Sequence, residues 1–319
     1  MEELERSAQA VILNHLAVKE GEQVLIITDE WRRRIAMALF LAAREAGAEV
    51  VMLEILERET HGAELPSAVA SAMLEADVIV APTSKSLSHT SARKAATLKG
   101  ARCASMPIVT EDMMVRALGA DPEMLKRLGE AYAKALTDAS VARLTSPGGS
   151  DCVFDLSSRS GISDDGDLSA KGAFGNLPAG EAFIAPVEGM TEGILVFDGS
   201  LSPDQLLKSP YRVQVSGGRV VATSAGPAPQ FEDLPHRYGP LAWEIAELGV
   251  GTNDRAIITG NILEDEKVAS TVHVAFGNNA SIGGTTAQVA SHHDGVIKNV
   301  TLELDGQVVL REGELLLGN

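Results

Sequence analysis

The first half of the chain alternates short apolar runs with longer helical patterns, and this alternation limits the folds open to it. The runs at residues 23–28, 49–53 and 77–81 have the length and composition of buried strands, and a helical pattern follows each one. Buried strands that alternate with helices are typical of a parallel sheet covered on both faces. We therefore predict an α/β domain over residues 1–146, with a parallel sheet flanked by helices.

The pattern changes at the Pro-Gly-Gly turn of residues 147–149. Beyond it, short strand-like segments are separated by turns rich in Gly, Asp, Asn and Ser, including the hairpin signals at 217–218 and 305–306. Helical pattern is sparse there and is confined mainly to residues 202–207 and 238–248. We predict a mostly β domain of the α+β type over residues 147–319.

Charge and cysteine content narrow the function classes. A formal net charge of −17 argues against a nucleic-acid partner, because phosphate binding needs clustered Lys and Arg. The acidic start of the chain does not resemble a signal peptide, and no apolar run is long enough to cross a membrane. Cys103 and Cys152 are too few for a disulfide framework or a cysteine zinc site. We expect a cytoplasmic protein with no membrane partner, in which the two cysteines are free thiols or, as the alternative, form a single pair.

Metal-favouring side chains lie near the C-terminal end, in a stretch otherwise typical of strands. His273 falls inside a Val-His-Val-Ala-Phe run, and His292-His293-Asp294 follows. Alternate residues of a strand point to one face, so His292 and Asp294 could bind one ion while His293 faces away. Imidazole nitrogen and carboxylate oxygen together suit zinc, cobalt, manganese or iron.

Two further carboxylates and an acidic turn could join this group. Glu181 follows a Pro/Gly turn at the head of an apolar run, Glu247 precedes a small-residue run, and the acidic turn of residues 264–267 lies between these and His273. Each side chain also has a structural explanation: Glu181 and Glu247 as surface carboxylates, the acidic turn as a charged loop, and His273 as a hydrogen-bonded core residue. Together they indicate a divalent metal site, because buried carboxylates and imidazoles need a positive partner.

The motifs that carry these residues resemble a known family. Leu-Pro-Ala-Gly-Glu (177–181), Glu-Leu-Gly-Val-Gly-Thr-Asn (247–253), the acidic turn with His-Val-Ala-Phe-Gly-Asn-Asn (264–279) and His-x-Asp (292–294) are similar to the M29 family of metal-dependent aminopeptidases. The likeness is to aminopeptidase T and its shorter, leucyl aminopeptidase-like relatives. It implies a homodimeric enzyme that hydrolyses a small peptide or amide.

The resemblance also implies a pair of divalent ions, zinc, cobalt or manganese, in the C-terminal domain. Carried over, the positions that match metal ligands are Glu181, Glu247, Glu266, His273, His292 and Asp294. Glu247 would bridge the two ions, and Glu181 or Glu266 would carry the proton of the activated water. Glu266 fits with an offset, because it stands seven residues before His273 where the family has its acidic residue five before.

One departure from the aminopeptidase pattern and a second resemblance keep other functions open. The aminopeptidases have a tyrosine seven residues after the motif histidine, and here that position is Ala280. The chain is also similar to an iron(II) dioxygenase that opens dihydroxypyridine rings with one iron, two histidines and one carboxylate. That enzyme has a histidine at the position of Glu247 and lacks the glutamate matching Glu181, so the carboxylate-rich set here favours hydrolysis. A non-catalytic metal- or ligand-binding relative is the third hypothesis.

Overall fold

The computed structural model describes residues 2–203, 205–224 and 226–318. Within them the helices are α1 (Glu3–Ala10), α2 (Arg33–Glu45), α3 (Ser67–Glu75), α4 (Ser91–Lys99), α5 (Glu111–Ala117), α6 (Pro122–Asp138), α7 (Pro229–Glu232), α8 (Leu234–Tyr238) and α9 (Ile262–Asp265). The strands are β1 (Gln23–Thr28), β2 (Glu49–Glu54), β3 (Val78–Thr83), β4 (Arg102–Pro107), β5 (Val141–Thr145), β6 (Asp151–Asp155), β7 (Ile162–Asp164), β8 (Phe174–Asn176), β9 (Glu181–Ile184), β10 (Glu192–Phe197), β11 (Ser200–Leu201), β12 (Gln205–Leu206), β13 (Tyr211–Ser216), β14 (Arg219–Thr223), β15 (Ile245–Gly251), β16 (Val272–Gly277), β17 (His292–Ile297), β18 (Thr301–Leu304), β19 (Gln307–Arg311) and β20 (Glu314–Leu315).

The chain divides into two compact units, and the first is an α/β unit formed by Met1–Pro122 with Gly166–Ala179. Its five strands pair in parallel in the order β2-β1-β3-β4-β8. Strands β3 and β4 are buried along their whole length, as expected for the centre of a sheet covered on both faces. The predicted α/β fold class is confirmed. Of the helices that the structure describes, none is long and apolar enough to cross a membrane.

The second unit consists of Glu123–Asp165 with Gly180–Asn319, so the chain passes between the units more than once. It leaves the second unit after Asp165, adds β8 to the parallel sheet beside β4, and returns at Gly180. The boundary predicted between residues 146 and 147 falls inside the second unit, in the turn between the paired strands β5 and β6.

The second unit is mostly β and contains two antiparallel sheets. One has eight strands in the order β14-β13-β10-β6-β5-β18-β19-β20, and the other has seven in the order β12-β11-β17-β16-β15-β9-β7. Side chains of both sheets share one apolar core, in which Phe197 and Phe231 pack edge-on against Phe276. The predicted mostly β fold class of the C-terminal part is confirmed.

The helical pattern predicted over residues 238–248 is wrong. After a single 3-10 turn at Pro240–Trp243, the chain enters β15, which pairs with β9 on one side and β16 on the other. All seven residues of β15 are buried. A strand buried on both faces loses the two-residue alternation that identifies strands, so its apolar spacing can imitate a helix. Glu247 therefore lies in the middle of a central strand.

Candidate metal centre

Four neighbouring strands of the seven-stranded sheet bring the predicted site residues together. Glu181 begins β9, Glu247 lies on β15, His273 lies on β16, and His292 and Asp294 lie on β17. The register places Ala275 opposite both Glu247 and Asp294, so these two carboxylates lie in one row across three strands. The sheet thus gathers on one face residues separated by more than a hundred positions in sequence.

Glu181, Glu247 and His273 form the tightest group. One donor atom from each lies within 4.8 Å of the other two. His273 Nε2 is 3.1 Å from Glu247 Oε1 and 3.3 Å from Glu181 Oε2. All three side chains are buried, and His273 is fully so. Among the described residues, Glu181 Oε2 and His273 Nδ1 have no hydrogen-bond partner. A buried carboxylate oxygen facing an imidazole nitrogen, with no hydrogen donated to it, is the arrangement that a divalent cation stabilises.

A second group extends from the other oxygen of Glu247. His292 Nε2 lies 3.5 Å from Glu247 Oε2 and 3.5 Å from Asp294 Oδ1. Its Nδ1 is 2.7 Å from the carbonyl oxygen of Asn278, which can only accept, so Nδ1 carries a hydrogen. In the neutral ring Nε2 is then the ligand atom. His292 is 26% exposed and is the most accessible of these ligand candidates. His293 points away and bonds with Ser202 Oγ at 3.2 Å.

Gly249 makes room for the central imidazole. It is the register partner of His273 in the β15–β16 pair. A Cβ at this position would lie 2.1 Å from His273 Nε2 and 2.2 Å from its Cε1. The small-residue run after Glu247 therefore has a steric purpose, since it lets the ring lie over the backbone of the neighbouring strand.

Lys267 is the site residue that the sequence did not reveal. Its side chain is fully buried, and its Nζ donates to Glu181 Oε1 at 2.6 Å and to Glu266 Oε1. Lysine is rarely buried without a charged partner, and a Glu-Asp-Glu-Lys run usually indicates a solvated turn. Here Glu264 and Asp265 are buried as well, because their carboxylates accept hydrogen bonds from backbone N–H groups of residues 257–260. Only the tertiary structure shows where this turn lies.

The imidazoles and carboxylates of the centre perturb one another strongly. Desolvation acts to lower the pKa of both imidazoles, but the carboxylates outweigh it. Glu247 and Glu181 raise the pKa of His273 to about 9, and Asp294 and Glu247 raise that of His292 to about 10. Desolvation acts to raise the pKa of Asp294, yet the two imidazoles lower it to about 2. Without a metal, protons on the imidazoles neutralise the carboxylates, and a divalent ion would displace those protons.

At the other end of the centre, the desolvation of the acids outweighs the attraction of the nearby ammonium. Desolvation raises the pKa of Glu266 well above its ordinary value, although Lys267 opposes the shift. It also raises the pKa of Asp164 to about 7. Asp164 ends β7 and lies opposite Glu181 in the β7–β9 pair. Two imidazole nitrogens among carboxylate oxygens suit divalent iron, manganese, cobalt or zinc, so these residues fit a metal ion.

Comparison with known proteins gives one family match and two structural matches. The chain matches a family model described as NicX, 2,5-dihydroxypyridine 5,6-dioxygenase, over residues 7–317. The structure of 2,5-dihydroxypyridine dioxygenase from Pseudomonas putida KT2440 is similar, with a TM-score of 0.84, 19% identity, and coverage of 99% of this chain and 98% of that one. AmpT from Thermus thermophilus is similar with a TM-score of 0.73, 16% identity and 99% coverage of both chains. No curated protein sequence matches at a significant level.

The two structural matches identify the fold, whereas the family-model match identifies the family. At 19% and 16% identity, the two structures show likeness of fold alone. The predicted resemblance to the M29 aminopeptidases is supported in the fold, because AmpT is one of them. The family model, in contrast, matches nearly the whole chain and is not an aminopeptidase model. The chain belongs to the NicX, 2,5-dihydroxypyridine 5,6-dioxygenase, family.

Proposed function

We propose that this protein is an iron(II)-dependent dioxygenase that opens a hydroxylated nitrogen heterocycle of the 2,5-dihydroxypyridine type. The observation that carries the proposal is the match of residues 7–317 to the family model of that activity. The site adds chemical support, because it offers two imidazoles with carboxylates, the donor types of non-haem iron oxygenases. This reverses the preference for a hydrolase that the carboxylate-rich sequence motifs suggested.

The residues of the centre would divide the work between holding the metal and moving a proton. Glu181, Glu247 and His273 would bind the ion from the buried side, and His292 with Asp294 from the more accessible side. Bound iron(II) would supply the redox chemistry that dioxygen requires. Glu266 has a raised pKa and a side chain that is 13% exposed, so it would take up and release a proton beside the ammonium of Lys267.

To test this proposal, the protein is loaded with iron(II) under anaerobic conditions, and oxygen consumption is then measured after oxygen and substrate are added. We expect 2,5-dihydroxypyridine to lose its ring absorbance as one dioxygen is consumed per ring, and Asp294→Ala to abolish both signals. His293→Ala is the matched control, since His293 lies next to Asp294 but faces Ser202, and it should keep its activity. Iron-loaded wild-type protein that consumes no oxygen with any dihydroxypyridine isomer would refute the proposal.

A metal-dependent aminopeptidase-like hydrolase is the second candidate, and the position of Glu247 favours it. Its two carboxylate oxygens face different imidazoles, His273 and His292, as a ligand bridging two ions would. Against it, Ala280, which lies in a 3-10 turn, stands where the aminopeptidases have a tyrosine. The loss of one hydrogen-bond donor to an oxyanion costs on the order of 2.7–4 kcal/mol of transition-state stabilisation. Hydrolysis of aminoacyl p-nitroanilides by cobalt-, manganese- or zinc-loaded protein, lost in Glu247→Ala, would establish this function. No turnover in either assay would leave a non-catalytic metal-binding protein.

A further inference from the structure

The centre brings several buried or partly buried carboxylates close together. Five lie close enough to influence one another's ionisation: Asp164, Glu181, Glu247, Glu266 and Asp294. Clustered carboxylates repel one another and lose solvation, so the cluster needs positive charge at fixed positions. The way that charge is supplied determines how many metal ions the centre can accept.

Lys267 supplies part of this positive charge from inside the fold. Its ammonium lies between two carboxylates, donating to Glu181 Oε1 at 2.6 Å and to Glu266 Oε1. Asp164 adds a third negative group nearby. No part of the side chain is exposed to solvent. A buried ammonium with two carboxylate acceptors is a permanent cation of the structure rather than a surface charge.

The backbone holds this lysine in place. The carbonyl oxygen of Lys267 accepts a hydrogen bond from the N–H of Asn253 at 2.9 Å. On the neighbouring strand, a Cβ at Gly251 would lie 2.1 Å from the carbonyl oxygen of Val268, so the lysine segment packs directly against the end of β15. These two contacts fix the position of the lysine backbone beside β15.

The ammonium also occupies one oxygen of each carboxylate that it contacts. Glu181 gives Oε1 to Lys267 and keeps Oε2 facing His273, so it can offer one oxygen to a metal. Glu266, the predicted ligand of a second ion, directs Oε1 to Lys267 instead. A divalent ion shared by Glu181 and Glu266 would meet the ammonium at close range and be repelled by it.

We infer that Lys267 takes the place of a second metal ion, so that the centre binds one exchangeable divalent ion per chain, beside Glu181 Oε2, Glu247 and His273. Lys267 is a positioning residue in this arrangement, because it acts through the two carboxylates and touches neither the metal nor the substrate. The inference rests on the metal site of the proposed function. It narrows that function to chemistry that a single ion performs, whichever reaction the enzyme catalyses.

Metal stoichiometry and manganese(II) electron paramagnetic resonance test the inference without any substrate. We expect wild-type protein to bind one manganese ion per chain and to give the spectrum of an isolated ion. Lys267→Met removes the ammonium at similar side-chain length, and we expect it to bind two ions per chain with a spin-coupled spectrum. Lys208→Met, at an exposed lysine of the same unit, is the matched control and should remain at one ion.

A third variant keeps the test decisive if Lys267→Met does not fold. In Glu266→Gln the lysine stays, and since Glu266 serves the lysine and not the metal, we expect one ion bound with unchanged affinity. Two ions in wild-type protein, one ion in folded Lys267→Met, or loss of the ion in Glu266→Gln would each overturn the inference. A protein with one ion and no dioxygenase activity would refute the proposed function alone, whereas an active protein with two ions would refute only the inference.

Discussion

Gly249→Ala should disable the metal centre through a single methyl group. The added Cβ would lie 2.1 Å from His273 Nε2, whereas ordinary contacts begin at 3.4 Å, so the ring must retreat by about 1.3 Å. Metal–ligand distances tolerate changes of only about 0.2 Å. His273 is fully buried, so the ring cannot move out into solvent without disturbing its neighbours. We therefore expect metal affinity to fall by at least about 10- to 100-fold, the range found when ligand orientation is lost.

The assay is a titration with iron(II) or manganese(II), read by calorimetry and by thermal unfolding with and without metal. Overpacking of this kind costs about 1–3 kcal/mol of unfolding free energy, so the variant should fold with a lower melting temperature. Gly148→Ala is the matched control, because its nearest heavy atoms lie 3.6 Å from the added Cβ. Wild-type affinity in folded Gly249→Ala would refute the assignment of His273 as a ligand.

Three further predictions follow from the same geometry and electrostatics. His292→Ala should lose at least about 10-fold in metal affinity while His293→Ala is unchanged, and calorimetry distinguishes them. Folded-state pKa values of about 9 for His273 and about 10 for His292 exceed the ordinary 6.5, so their protonation stabilises the metal-free protein below about pH 6.5. That stability is lost as pH rises through 9–10, and melting temperatures of metal-free protein should fall over this range; a flat profile would contradict the coupling. Burial raises the pKa of Cys103 and Cys152 to about 12, so a thiol reagent at pH 8 should modify neither until the protein unfolds.

The sequence predicted most of the fold because the residues of β1, β3 and β4 in the first unit are almost all buried. Such strands are continuous apolar runs, as at residues 23–28, and helices between them leave few other topologies. β8 was not predictable in this way. Its three residues, Phe174–Asn176, carry no periodicity, and they join the sheet only through their parallel pairing with β4. β15 was assigned to a helix because total burial removed its alternation.

The candidate site was predictable where residue type and spacing carry the chemistry. His292 and Asp294 stand two apart on a strand, and the structure places both beside Glu247. Lys267 was not predictable, because a lysine beside three acidic residues has the sequence of a solvated turn. Its burial depends on the packing of that segment against β15, at the close approach that Gly251 allows. The charge balance of the site is therefore a property of tertiary structure.

Anomalous scattering from crystals of iron-loaded protein, measured on both sides of the iron absorption edge, locates the metal ion without any assumption about activity. We expect one strong anomalous peak per chain, within bonding distance of Glu181, Glu247 and His273. Crystals with stoichiometric iron in which the peak lies elsewhere, or in which these three side chains bind no ion, would contradict this expectation.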